Sequence, residues 1–108
     1  MLVLWLLLSV AADARQDPDP AAVAAGRKVY VKEKCAVCHQ IAGQGNKVFP
    51  LDGVGRRLTA PDIRRWFTHT LEMEARLPKQ PAIRMSSRKY RFSDAELDAL
   101  VAYLQSLK

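Results

Sequence analysis

The chain has 108 residues, 17 Lys and Arg against 11 Asp and Glu, and a formal charge of +6. That length holds one domain and excludes a two-domain enzyme. With 49% apolar and 26% charged residues it is neither a disordered tail nor a polytopic membrane protein. A core this small is marginal alone, and two cysteines three positions apart cannot staple a whole fold, so something else must help the chain fold.

Met1 to Ala12 is an uncharged apolar run, followed by Asp13-Ala14 and the polar, proline-bearing stretch 15–20. An apolar run of roughly 7–15 residues ending near small residues is the pattern of an export signal. Ala12-Asp13-Ala14 supplies the cleavage site. The run falls short of the ~20 residues that span a bilayer. The usual opening Lys or Arg is missing, so residues 1–14 read either as a cleaved signal or as an uncleaved anchor, the one route to a membrane. Both readings place the protein in the periplasm. Losing Asp13 with that segment leaves 17 bases, 10 acids and a charge of +7. Residues 15–20 then form a short linker and 21–108 the domain.

Asp19-Pro20 puts a capping residue before a proline at the first helical position, and an Ala-rich helix is expected from Pro20 to about Lys34. Val23, Gly26, Val29 and Tyr30 share one face of it. Gly26 costs about 1 kcal/mol of helix propensity relative to Ala, which makes sense if another helix crosses there at close range. Thr59-Ala-Pro-Asp62 starts a second helix. Its stripe of Ile63, Trp66, Phe67, Thr70 and Leu71 predicts a helix to about Glu74. Ser93-Asp-Ala-Glu96 is a capping box, and Leu97, Leu100, Val101, Leu104 and Leu107 make the stripe of the last helix. No segment alternates long enough to predict a strand. Residues 40–58 and 77–92 read as loops, long enough to need something to pack on.

The chemistry is concentrated in Cys35-Ala-Val-Cys38-His39. Thiols at i and i+3 can each form a thioether to one vinyl group of a haem, and the adjacent imidazole can then take an axial position on the iron. Zinc would need four ligands, for which only His69 remains, and a redox C-x-x-C belongs beside a βαβ unit that is absent. A second axial ligand could come from Met73, Met85 or His69. Met85 is favoured, because a loop can bring a thioether over the haem while the following helix seals the pocket.

Over residues 22–107 the chain resembles the class I monohaem cytochromes c. The matching pieces are Gly26-x-x-x-Tyr30, Cys35-x-x-Cys38-His39, Leu51-Asp-Gly-Val-Gly55, Met85, Ser93-Asp-Ala-Glu-Leu and Leu100-Val-Ala-Tyr103-Leu, in the family's order. The resemblance implies an all-α fold of three to five helices round one covalent haem c, with Cys35 and Cys38 as thioethers. It also implies His39 and Met85 as iron ligands, and a crossing of the first and last helices that joins Gly26, Tyr30, Leu100 and Tyr103. The chain departs from the family pattern in its Phe49-Pro50-Leu51 order, so the carbonyl that accepts from His39 is either that of Phe49 or that of Pro50. It departs again at Met85-Ser86, where a proline commonly follows the methionine, which leaves that loop less rigid. Arg57 and Trp66 stand where relatives often contact a haem propionate; a surface base and a core aromatic are the other readings.

Such a protein is expected to carry single electrons rather than to act as an enzyme, with both iron positions filled. A five-coordinate peroxidase or diatomic-ligand sensor is the alternative if Met85 does not ligate. Residues 56–91 hold ten bases and three acids and bracket Met85. That points to docking on acidic redox proteins, such as a dehydrogenase or a terminal oxidase, and not to nucleic acid. If the haem completes the core, the haem-free chain should be largely unfolded in far-UV circular dichroism; a cooperative thermal melt of that chain would contradict this.

Overall fold

The computed structural model describes residues 17–108; residues 1–16, which hold the expected signal or anchor and the start of the linker, lie outside the described residues. In chain order the elements are α1 (Pro20–Lys32), β1 (His39–Ile41), β2 (Gln44–Gly45), β3 (Phe49–Pro50), α2 (Val54–Arg57), α3 (Ala60–Thr68), α4 (Thr70–Ala75) and α5 (Asp94–Gln105). Short 3₁₀ turns stand at Cys35–Val37 and Met85–Ser87. The fold is mostly helical, as expected.

The caps form where their sequences place them. Asp19 accepts the Ala21 N–H at 3.3 Å with Pro20 at the first helical position. Ser93 Oγ accepts the Glu96 N–H at 3.1 Å, and Glu96 Oε1 accepts the Ser93 N–H at 3.2 Å. Each such cap contributes about 1 kcal/mol. The first helix ends two residues earlier than expected because Lys34 adopts a left-handed conformation (φ 55°). That residue swings the chain out of α1 and into the turn that carries Cys35.

α1 and α5 cross at Gly26. A Cβ there would stand 1.9 Å from the Ala99 carbonyl oxygen and 2.6 Å from Tyr103 Cβ. Tyr30 and Tyr103 pack edge to face beside the crossing, ring centroids 5.6 Å apart. Lys32 and Glu96 pair at 2.6 Å on the surface of the same two helices, where such a pair adds little. Around this crossing lies the core of Val29, Tyr30, Val54, Ile63, Leu97, Leu100, Val101 and Leu104, with Leu100 wholly buried. A second close approach seats α2 under the C-terminus, where the Gly55 N–H donates to the Leu107 carbonyl at 2.8 Å.

Two expectations are corrected. Residues 39–50 are not all loop: they form a three-stranded sheet in the order β2-β1-β3. Its strands are two or three residues long, too short for alternation to show in the sequence. The predicted single helix from Thr59 to Glu74 is two. His69 (φ −133°, ψ 49°) separates α3 from α4. Around it Thr68 Oγ1 donates to the Arg64 carbonyl at 3.2 Å and Thr70 Oγ1 to that of Trp66 at 2.8 Å. Hydroxyls bonding back in this way compete with the helix ladder and bend it. The break throws Leu71 outward, 72% exposed, although its spacing put it on the apolar stripe. Beyond it Met73 and Glu74 are buried, at 6% and 3% exposure.

Gly26→Ala is expected to destabilise the holoprotein by roughly 3 kcal/mol through overpacking, well beyond the ~1 kcal/mol of helix propensity that Ala returns. Gly43→Ala, with φ +78° but nothing within 4 Å of a new Cβ, should cost only the left-handed strain, about 1 kcal/mol. Urea unfolding of the two variants should show that order.

Candidate cofactor site

A cavity of about 890 Å³ opens between α3, α5 and the two long connections. That is toward the upper end of the roughly 300–1,000 Å³ that small-molecule and cofactor pockets occupy. Its walls are mainly apolar: Leu51, Val54, Leu58, Ile63, Phe67, Leu100 and Leu104 are among them. Cys35, Cys38, His39 and Met85 all reach it.

No disulfide joins the two cysteines; Cys35 is buried and Cys38 half-buried. Burial, with a smaller contribution from the Glu33 charge, pushes the Cys35 thiol up to about 11. A redox C-x-x-C works by the opposite shift, toward thiolate, so the site does not favour thiol exchange. Among the described residues, no group of three or more His, Cys, Asp or Glu side chains is placed to hold a metal ion, which leaves the zinc reading without a site.

His39 is oriented by its own strand pairing. β1 and β3 run parallel with His39 opposite Phe49 and Gln40 opposite Pro50. His39 Nδ1 lies 3.0 Å from the Phe49 carbonyl oxygen. A carbonyl only accepts, so Nδ1 carries the proton and Nε2 keeps its lone pair free for a metal. Burial lowers the imidazole's pKa despite the opposing Phe49 bond, which favours that neutral form. The acceptor is therefore Phe49. Pro50 lines the cavity but takes no bond from His39, because the register sets it against Gln40 instead.

The turn after β1 holds this segment in shape. Gly45 has φ +103°, and a Cβ on it would lie 2.1 Å from the His39 carbonyl oxygen. Next to it the Asn46 N–H donates to the carbonyls of Ala36 and His39, each at 3.0 Å, and Asn46 Nδ2 donates to that of Val37 at 3.1 Å. The backbone of the C-x-x-C-H segment is thereby tied down at three of its five residues.

Of the three candidates for a second ligand, only Met85 reaches the cavity. It opens the 3₁₀ turn Met85–Ser87 and is half-buried. Met73 is buried off the cavity wall, and His69 lies in a separate open hollow, its Nδ1 2.8 Å from Thr68 Oγ1. Trp66 lines the cavity. Arg57 is exposed off the cavity wall and donates to the Asp52 carbonyl at 2.8 Å, closing the loop between β3 and α2. Two wall groups were not anticipated as polar features of the site. Glu74 follows Ile63, Phe67 and Thr70 at helical spacing, so its inward place was legible although a carboxylate stands there. The Tyr30 hydroxyl is a buried polar atom with no protein partner, so the wall retains a donor for a bound group.

The family model described as "Cytochrome c" matches residues 23–108. The chain belongs to the cytochrome c family. No curated protein and no solved structure matches it. Its cofactor is a covalently bound haem c, and it is a haem-binding electron carrier in a family that generally carries electrons rather than catalysing reactions. The residues present fit that group: two thiols, an imidazole with a free Nε2, a thioether and apolar walls on one cavity.

Gly45→Val should disturb the turn that orients His39, both through the His39 carbonyl and through its positive φ. The haem-to-protein ratio after expression with the haem-attachment machinery is expected to fall several-fold, while Gly43→Val keeps most of it.

Proposed function

We propose that Cys35 and Cys38 hold the haem as thioethers, that His39 and Met85 are its axial ligands, and that the protein shuttles single electrons between extracytoplasmic redox proteins such as a dehydrogenase or a terminal oxidase. The observation that carries the reading is the convergence of these four side chains on one cavity while His69 and Met73 stay outside it. With His/Met ligation, haem c supplies a one-electron couple at raised potential. The chain's own part is to fix His39 through Phe49, to keep water from the group with the walls around Leu100, and to hold Met85 in reach.

The cavity mouth supports the choice of partners. Val48 and Ile83 belong to its lining and are 65% and 68% exposed. Lys79, Arg84 and Arg88 belong to the same lining and are exposed. An apolar patch rimmed by bases suits a partner with an acidic rim, and steered encounter of this kind weakens with salt. Export through residues 1–14 belongs to the same proposal, and mass spectrometry of the mature N-terminus tests it. Among the described residues no helix is long and apolar enough to cross a membrane.

The test is the absorption spectrum of purified protein, oxidised and reduced, after denaturing extraction. Haem that stays with the chain and a weak far-red band in the ferric form are expected. That band should vanish in Met85→Ala and persist in Met73→Leu and His69→Ala. Covalent haem without the band would replace the carrier by an open-site peroxidase or sensor. In stopped flow, electron transfer with an acidic partner should slow at least about tenfold between low and high salt.

A further inference from the structure

The loop that bears Met85 lacks the usual proline, yet it is held from outside itself. The 3₁₀ turn Met85–Ser87 has no side-chain cap of its own, Arg84 providing none. Its free N–H groups would need a partner. Ser86 finds one across the cavity wall: its N–H donates to Glu74 Oε1 at 2.6 Å, and its hydroxyl donates to Glu74 Oε2 at 2.7 Å. Both carboxylate oxygens of one residue thus grip the residue next to Met85. Glu74 is 3% exposed, and its backbone carbonyl accepts from Gln80 Nε2 at 2.8 Å, which closes the near end of the same loop. A buried carboxylate is costly unless its lone pairs are met, and among the described residues these donors are the ones that meet them.

We infer that Glu74 is the positioning residue for Met85, its carboxylate gripping Ser86 so that the thioether is presented to the cavity in place of a rigid Met-Pro step. This rests on Met85 as the distal ligand. The contacts of its carboxylate are to Ser86, so it acts by restricting where Ser86, and therefore Met85, can go.

The test uses the haem-loaded full chain and two readouts that report the Met–iron contact: the ferric far-red band and the equilibrium affinity for added imidazole, which competes with the methionine. Glu74→Ala is expected to weaken the band and raise imidazole affinity at least about tenfold, the factor that one charged hydrogen bond carries (~1.4 kcal/mol). Ser86→Ala, which keeps the N–H bond and loses the hydroxyl, should give a smaller rise. The double variant should go no further than Glu74→Ala alone, because both substitutions remove the same grip. Glu72→Ala, whose side chain pairs with Arg76 on the surface of the same helix, should leave both readouts unchanged. If Glu74→Ala does not accumulate as holoprotein, Ser86→Ala and Glu74→Gln decide. Unchanged band and affinity in the variants, or independent addition of the two effects, would overturn the positioning role alone. A parent protein without a band that Met85→Ala removes would overturn the ligation reading as well.

Discussion

The crossing of α1 and α5 at Gly26 is the contact on which the rest of the structure is hung. Two helix backbones can approach this closely only where one of them has no side chain, and a Cβ at Gly26 would sit inside the Ala99 carbonyl. The approach brings Tyr30 onto Tyr103 and lays the Leu97, Leu100, Val101 and Leu104 face of α5 along the core. Cys35, three residues past the end of α1, then lines the same cavity as Leu100 and Leu104. The attachment segment owes its place to a glycine nine residues before it.

From that frame the two long connections are tied down by different means. The first is held by short-range backbone pairing: β1 against β3 sets His39 opposite Phe49, and Asn46 ties the turn to Ala36, Val37 and His39. The second has no regular pairing and is held by side chains. Phe92 packs edge to face on Phe67 of α3 and stacks on Tyr90, while the Glu74 carboxylate grips Ser86. One connection orients an imidazole through a carbonyl, the other a thioether through a carboxylate. The first device leaves Nε2 of the imidazole free.

Charge is sorted by the same packing. Two acids of α5 meet bases on neighbouring helices, Glu96 with Lys32 and Asp98 with Arg64, and on α3 and α4 Asp62 pairs with Arg65 and Glu72 with Arg76. Among the described residues none of these pairs involves Lys79, Arg84 or Arg88, which border the cavity. Those three bases leave positive charge unpaired at the cavity mouth.

How much was legible beforehand follows from the range of each interaction. Local signals were read correctly because they act over three or four residues: the Asp19 and Ser93 caps, the α5 stripe and the glycine that demands a crossing. The small sheet, the choice of Phe49 over Pro50 as acceptor, and the place of Arg57 on Asp52 were not legible, since each depends on which backbone groups meet across a turn. The break at His69 lay between these cases. Its threonines are visible in the sequence, but hydroxyls bond back to the helix only where packing rewards the bend. By itself the sequence determined the first and last helices, the cofactor class and three candidates for a second ligand. Only the tertiary structure decided that Met85 shares a cavity with His39 while Met73 and His69 do not, because that depends on the direction in which a broken helix and an irregular loop present their side chains.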